Sequence, residues 1–218
     1  MKKIIAIAVS AVLFASSTFA IGFGVGGKFI LGKNVAEGES VKTAALDAIK
    51  SDNNFDFGGS LYANLSILGG LGAQLEANFI NSSLSIESRT AEDASKPKTE
   101  KYNTMFFDIA PMVWWNIDFW KLRIGLGAGP NFSITVNSPA ELKTATKDMF
   151  TTGVCAGADV RLYFNDHFGI VVSGRYVGEF NKKENTVEIA GIDVAEYPTV
   201  TTQRQTLYGG VGAEFKLF

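Results

Sequence analysis

The chain is nearly empty of the residues that cross-link small exported domains or hold metals. It has one cysteine and one histidine among 218 residues. A single cysteine excludes an internal disulfide framework and any cysteine-based zinc cluster. An excess of charge of one sign is missing too. The net charge is −2, so no basic surface points to nucleic acid. After residue 20 no run of about 18 uncharged apolar residues occurs, which excludes a membrane-spanning helix there. Yet 46% of the residues are apolar and 12% are aromatic, too many for a disordered chain. The length fits one domain. The apolar residues must therefore be placed some other way.

The first twenty residues read as an export signal. Met1-Lys2-Lys3 is positively charged, Ile4 to Phe14 is a run that is apolar apart from Ser10, and Ser16-Ser17-Thr18-Phe19-Ala20 is a small-residue cleavage site. Thr18 and Ala20 occupy the two positions that a signal peptidase reads. Residues 1–20 are expected to be removed, leaving 21–218 as the mature domain.

Period-two alternation dominates residues 21–218, the signature of strands with two unlike faces. Eight segments show it. The clearest sets Leu122, Ile124, Leu126, Ala128, Phe132 and Ile134 against Arg123, Gly125, Gly127, Gly129, Asn131 and Ser133. In the fourth segment both faces are bulky. Asp108 settles its parity and puts Phe107, Ile109, Val113 and Trp115 on the apolar side. The connections alternate in length: residues 68–70, 116–120 and 165–167 are short, whereas 32–53, 87–101, 137–147 and 181–200 are long and carry most of the charge. Loop length segregated by side is the pattern of a transmembrane β-barrel. About ten residues at ~3.3 Å each, tilted by ~40°, cover the ~25 Å apolar band of such a barrel.

A soluble eight-stranded barrel of the lipocalin type also alternates, but it turns charge outward. Here the second face is rich in glycine and sparse in charge, which suits a narrow lumen better than a wall exposed to water. The fold class expected is all-β, an eight-stranded antiparallel up-and-down transmembrane barrel. Trp114, Trp115 and Trp120 cluster at one short turn, and Tyr163 and Phe168 flank another. Together they are expected to form an interfacial aromatic girdle.

With these features the chain resembles the small eight-stranded outer-membrane proteins of the OmpA transmembrane-domain and OmpX type, and OmpW is a similar family. The resemblance spans the mature chain and includes the ending Phe215-Lys216-Leu217-Phe218. It implies an outer-membrane location, lipid as the surrounding partner, and Phe215, Leu217 and Phe218 as the signal read by the barrel-assembly machinery. The apolar parity falls on Phe215 and Leu217, one position off Phe218, which departs from the usual terminal pattern.

The inward set holds Lys28, Arg123, Arg161 and Arg175 against Asp56, Glu76, Asp108, Asp159 and Glu214. Unpaired charge in a narrow lumen is costly, so these nine are expected to form a paired network across it. The network reads either as a structural plug or as a gate whose pairs exchange. In the loops, residues 41–50 could form a short helix. Residues 186–197 read as a hairpin turning at Gly191, with Val187, Ile189, Ile192 and Val194 as a surface that could recruit an extracellular ligand by strand addition.

Catalysis is not expected. His167 sits in a short turn beside Asp166, and adjacency in a turn does not build a relay. No cofactor or metal motif occurs. The function expected is that of a monomeric outer-membrane barrel with an envelope-structural and surface-contact role through four long loops. The alternative is a narrow channel for ions or small apolar solutes, as in OmpW-like barrels.

Overall fold

Alternating residues give a strand one apolar and one polar face, and a sheet of such strands can satisfy both faces by closing on itself. A computed structural model describes residues 22–34, 39–40, 55–67, 70–88, 98–137, 142–144, 149–187 and 199–217. In chain order the strands are β1 (Gly22–Asn34), β2 (Glu39–Ser40), β3 (Phe55–Ser66), β4 (Leu71–Ser88), β5 (Lys98–Phe119), β6 (Leu122–Asn137), β7 (Leu142–Thr144), β8 (Phe150–Tyr163), β9 (Phe168–Glu179), β10 (Lys183–Val187), β11 (Thr199–Thr202) and β12 (Gln205–Lys216). Eight of them form a closed barrel in the order β1-β12-β9-β8-β6-β5-β4-β3. All pairings are antiparallel. The ring closes through β1, with Phe29 opposite Val211 on one side and opposite Gly59 on the other.

The parity read from the sequence holds around the ring. Along β9, exposed Phe168, Ile170 and Val172 alternate with buried Gly169, Val171 and Ser173. Leu61, Val113 and Val211 are each more than 60% exposed on the outside, whereas Lys28, Glu76, Arg161 and Glu214 are at most 5% exposed within. Water would not tolerate so wide an apolar belt around a polar inside. This outer surface faces lipid.

The connections differ from expectation at both ends. On the short-turn side, Asn116–Phe119 continue β5 and pair with β6, so Trp120 and Lys121 alone make the turn. On the loop side, β4 and β5 extend as one ladder to Ser88 opposite Lys98, taking in residues 87–88 and 98–101 of the segment expected to be loop. The other three long connections contribute β2, β7, β10 and β11, which pair as a separate sheet in the order β2-β11-β10-β7. Its centre is the β10–β11 pair, the base of the hairpin expected over 186–197. The signal segment, the helix expected over 41–50, Ile189, Ile192, Val194 and Phe218 lie outside the described residues.

Inward glycines make room for large neighbours. A Cβ on Gly127 would come within 2.5 Å of the Trp114 indole. Gly127→Val is expected to destabilise the barrel by about 1–3 kcal/mol through overpacking. Ala128→Val, on the lipid side of the same strand, is expected to have little effect. Urea titration, read by the heat-modifiable shift on a denaturing gel, compares the two.

Candidate functional site in the barrel lumen

Six of the nine charged residues expected inside form a single chain of alternating sign: Lys28, Glu76, Arg175, Asp159, Arg161, Glu214. The successive ion pairs measure 2.9, 3.0, 2.6, 2.7 and 3.0 Å. Glu76 on β4 and Arg175 on β9 stand on opposite sides of the eight-strand ring, so their pair crosses the lumen. Three cations meet three carboxylates, and every member is at most 5% exposed. Such charges persist without water because each carboxylate is saturated with donors.

Neutral groups complete that saturation. Glu76 also accepts from Gln74 at 2.9 Å. Glu214 accepts from Tyr163 at 2.5 Å, Asn64 at 2.8 Å and Tyr62 at 3.0 Å. Arg161 donates to the Gln74 side chain at 2.8 Å, a second tie across the ring. The Trp114 ring lies 4.8 Å from the Arg175 guanidinium and 5.6 Å from that of Arg161, a cation–π contact with each.

The remaining three stand apart from this chain. Arg123 is at the short-turn rim, bonded to its cross-strand neighbour Asp118 at 2.6 Å and to Ser66 at 2.9 Å. Asp118 is half-exposed, so the pair meets solvent. Asp108 and Asp56 lie in the loop-side half, where Asp108 pairs with Arg204 at 2.5 Å. Arg204 also reaches Glu179 at 3.5 Å. Sequence reading missed Arg204 and Glu179, although both carry the inward parity of their strands. Extending β12 back from Tyr208 and β9 forward from Arg175 by even steps reaches them.

A cluster of buried apolar residues that includes Ile30, Ile80, Ala110, Met112, Cys155 and Val177 shares the lumen with these polar groups. Cys155 is buried there as a free thiol.

The aromatic assignment needs two corrections. Trp114 is 2% exposed and Tyr163 is 6% exposed; both point into the lumen and serve the ionic chain rather than the outer surface. Their inward parity places them there. Trp115, Trp120 and Phe168 do face outward. Trp120 is 94% exposed and has φ of 53° at the tip of the β5–β6 turn, a conformation uncommon for any residue but glycine. The ammonium of Lys121 lies 5.0 Å from its ring. Phe215 and Leu217 are exposed on the outer face. His167 is held in its turn by the Lys216 carbonyl, 3.2 Å from Nδ1, with its ring stacked on Phe215.

Glu76→Gln removes one carboxylate from between two buried cations. It is expected to cost about 3–5 kcal/mol, the cost of stranding a buried charge. Adding Lys28→Met removes one of the stranded cations and is expected to recover part of that loss. Urea unfolding of the two variants beside the parent measures both effects.

No protein-family model matches the chain, and no curated protein sequence does. Among solved structures it is similar to the outer membrane protein OprG from Pseudomonas aeruginosa, with a TM-score of 0.67 at 11% identity, over 90% of this chain and 95% of that one. It is also similar to a major outer membrane protein from Thermus thermophilus, with a TM-score of 0.52 at 12% identity, over 91% of this chain and 100% of that one. At such identities the likeness concerns fold, and the fold is that of the small membrane-spanning barrels of outer membranes.

Proposed function

We propose that the protein is a sealed outer-membrane barrel whose task is performed at its loop end: it contributes to the envelope and presents a surface for contact with an extracellular ligand. The observation that carries this reading is the closed lumen. An unbroken ionic chain crosses it, and its six charged members are at most 5% exposed. A conducting channel needs a water-filled path, and ion pairs this fully excluded from solvent do not line one.

The loop end supports the second half of the reading. Three of the four long connections are joined in the β2-β11-β10-β7 sheet. Short strands at the edges of a sheet leave backbone donors and acceptors for a partner strand. Val187, at the end of β10, pairs with Leu142 of β7 within it.

Purified protein in a planar lipid bilayer is expected to give no resolvable conductance steps. Arg123→Ala is expected to be equally silent, because Arg123 belongs to the rim pair rather than to the chain across the lumen. Reproducible steps from the unaltered protein would favour the narrow-channel alternative. Deletion of residues 185–196 is expected to abolish adhesion of expressing cells to an immobilised extracellular-matrix ligand panel while the heat-modifiable shift is retained.

A further inference from the structure

The end of the barrel opposite the loops carries a side chain that the fold itself does not use. Trp120 is 94% exposed at the tip of the β5–β6 turn. It is the only described residue other than glycine with a positive φ. Trp120 and Lys121 are the two central residues of that turn. Positive φ at the first of them alone is the type II′ pattern, whose first position ordinarily holds glycine. Tryptophan there strains the backbone and gains no packing within the barrel. Strain kept beneath an exposed aromatic side chain points to a contact made outside the chain.

The next residue shows what charge that contact carries. The Lys121 ammonium lies 5.0 Å from the centre of the Trp120 ring and donates to the Phe164 carbonyl at 3.3 Å. Both partners are neutral. Among the described residues no carboxylate, that of Asp166 in the neighbouring turn included, forms an ion pair with it. Asp118, two residues before the turn, is committed to Arg123 through both oxygens, at 2.6 and 3.1 Å. The cation is also held in place. The Tyr163 N–H donates to the Lys121 carbonyl at 2.9 Å, which ties the β5–β6 turn to the start of the β8–β9 turn. An apolar shelf adjoins it. The rings of Phe164 and Phe168 stack with their centres 6.0 Å apart, and both residues are exposed on the outer surface, as is Phe119.

We propose that the Trp120–Lys121 turn and the Phe164–Phe168 shelf bind one anionic phospholipid, with its phosphate on the Lys121 ammonium, its glycerol region against the Trp120 indole and its acyl chains along the shelf. Continuity fixes the lipid: the shelf is the rim of the surface that faces the bilayer, and the short turns of such barrels lie at the periplasmic face, where the leaflet is phospholipid. Charge fixes the headgroup. An ammonium without a counter-charge calls for an anion, and basic side chains at a membrane surface select anionic lipids. A choline headgroup is disfavoured, because the Trp120 ring already holds an ammonium and a second cation would meet the charge of Lys121. The indole has an apolar body and a polar N–H, the combination suited to the boundary between chains and headgroups.

The test uses the full folded protein in neutral detergent micelles, titrated with phosphatidylglycerol or with phosphatidylcholine of the same acyl chains. Native mass spectrometry counts the lipids retained. One phosphatidylglycerol is expected to be held in preference to phosphatidylcholine. Lys121→Gln is expected to raise the half-saturating concentration of phosphatidylglycerol by about five- to tenfold and to leave that of phosphatidylcholine unchanged. Trp120→Gly puts glycine where the backbone favours it. It is expected to keep or raise the urea midpoint in lipid-free micelles while weakening phosphatidylglycerol binding, a pair of effects that a purely structural role for Trp120 would not give. sn-Glycerol 3-phosphate, a headgroup without chains, is the soluble arm and is expected not to displace the lipid. Equal retention of the two lipids, unchanged phosphatidylglycerol binding in either variant, or displacement by glycerol phosphate would overturn the proposal.

Discussion

A ring of eight strands encloses space for side chains and little else, so each charge on its inner face must find an opposite charge within a few ångström or not be there at all. The alternating chain from Lys28 to Glu214 meets this constraint, and much of the fold follows from it. Long side chains that reach across the lumen need small residues beside them. Gly157 faces Arg175 so closely that a Cβ would come within 2.7 Å of its Cδ. Gly127 does the same for Trp114. Their partners in alternation turn outward and are apolar, because the strand that brings an arginine inward carries its next side chain toward lipid. The polar inside and the apolar outside are thus a single pattern seen from its two faces.

The two halves of the lumen meet the constraint differently. In the lower half the ion pairs, tyrosines and amides bond one another, and two ties from β4, Glu76 to Arg175 and Gln74 to Arg161, brace the ring across its width. In the upper half one guanidinium, that of Arg204, serves two carboxylates, Asp108 and Glu179. The guanidinium of Arg204 lies 4.6 Å from the Phe106 ring, as that of Arg175 lies over Trp114. Aromatic faces therefore meet cations in both halves, and Phe106 and Trp114 belong to the same apolar cluster.

Parity makes most of this legible in the sequence. Two-residue periodicity assigns each side chain to the lumen or to lipid, and Asp108 settles the one strand whose faces look alike. Parity also covers Trp114 and Tyr163, whose positions contradict a reading based on residue type. Aromatics near short turns suggest an interface, but the strand face overrides that tendency, and an inward indole becomes a cation–π partner. Which charges pair is another matter. Diametric contacts such as Glu76 with Arg175 depend on barrel closure and on stagger between strands that are not adjacent, and neither is written in any one segment. Arg204 escapes for a different reason: it follows a polar stretch that reads as loop, and a strand that continues past the membrane keeps its parity after its hydrophobic signal has ended.

The loop-side ion pairs also tie the barrel to the surface above it. Asp108 belongs to β5, Glu179 ends β9, and Arg204 lies immediately before β12, so one guanidinium links three strands inside the lumen. β9 leads into β10 and β11 leads into β12, and β10 and β11 are the central pair of the outer sheet. The position of that sheet therefore depends on buried charge pairing below it, and the same electrostatic constraint that fills the lumen fixes the base of the surface that the loops present.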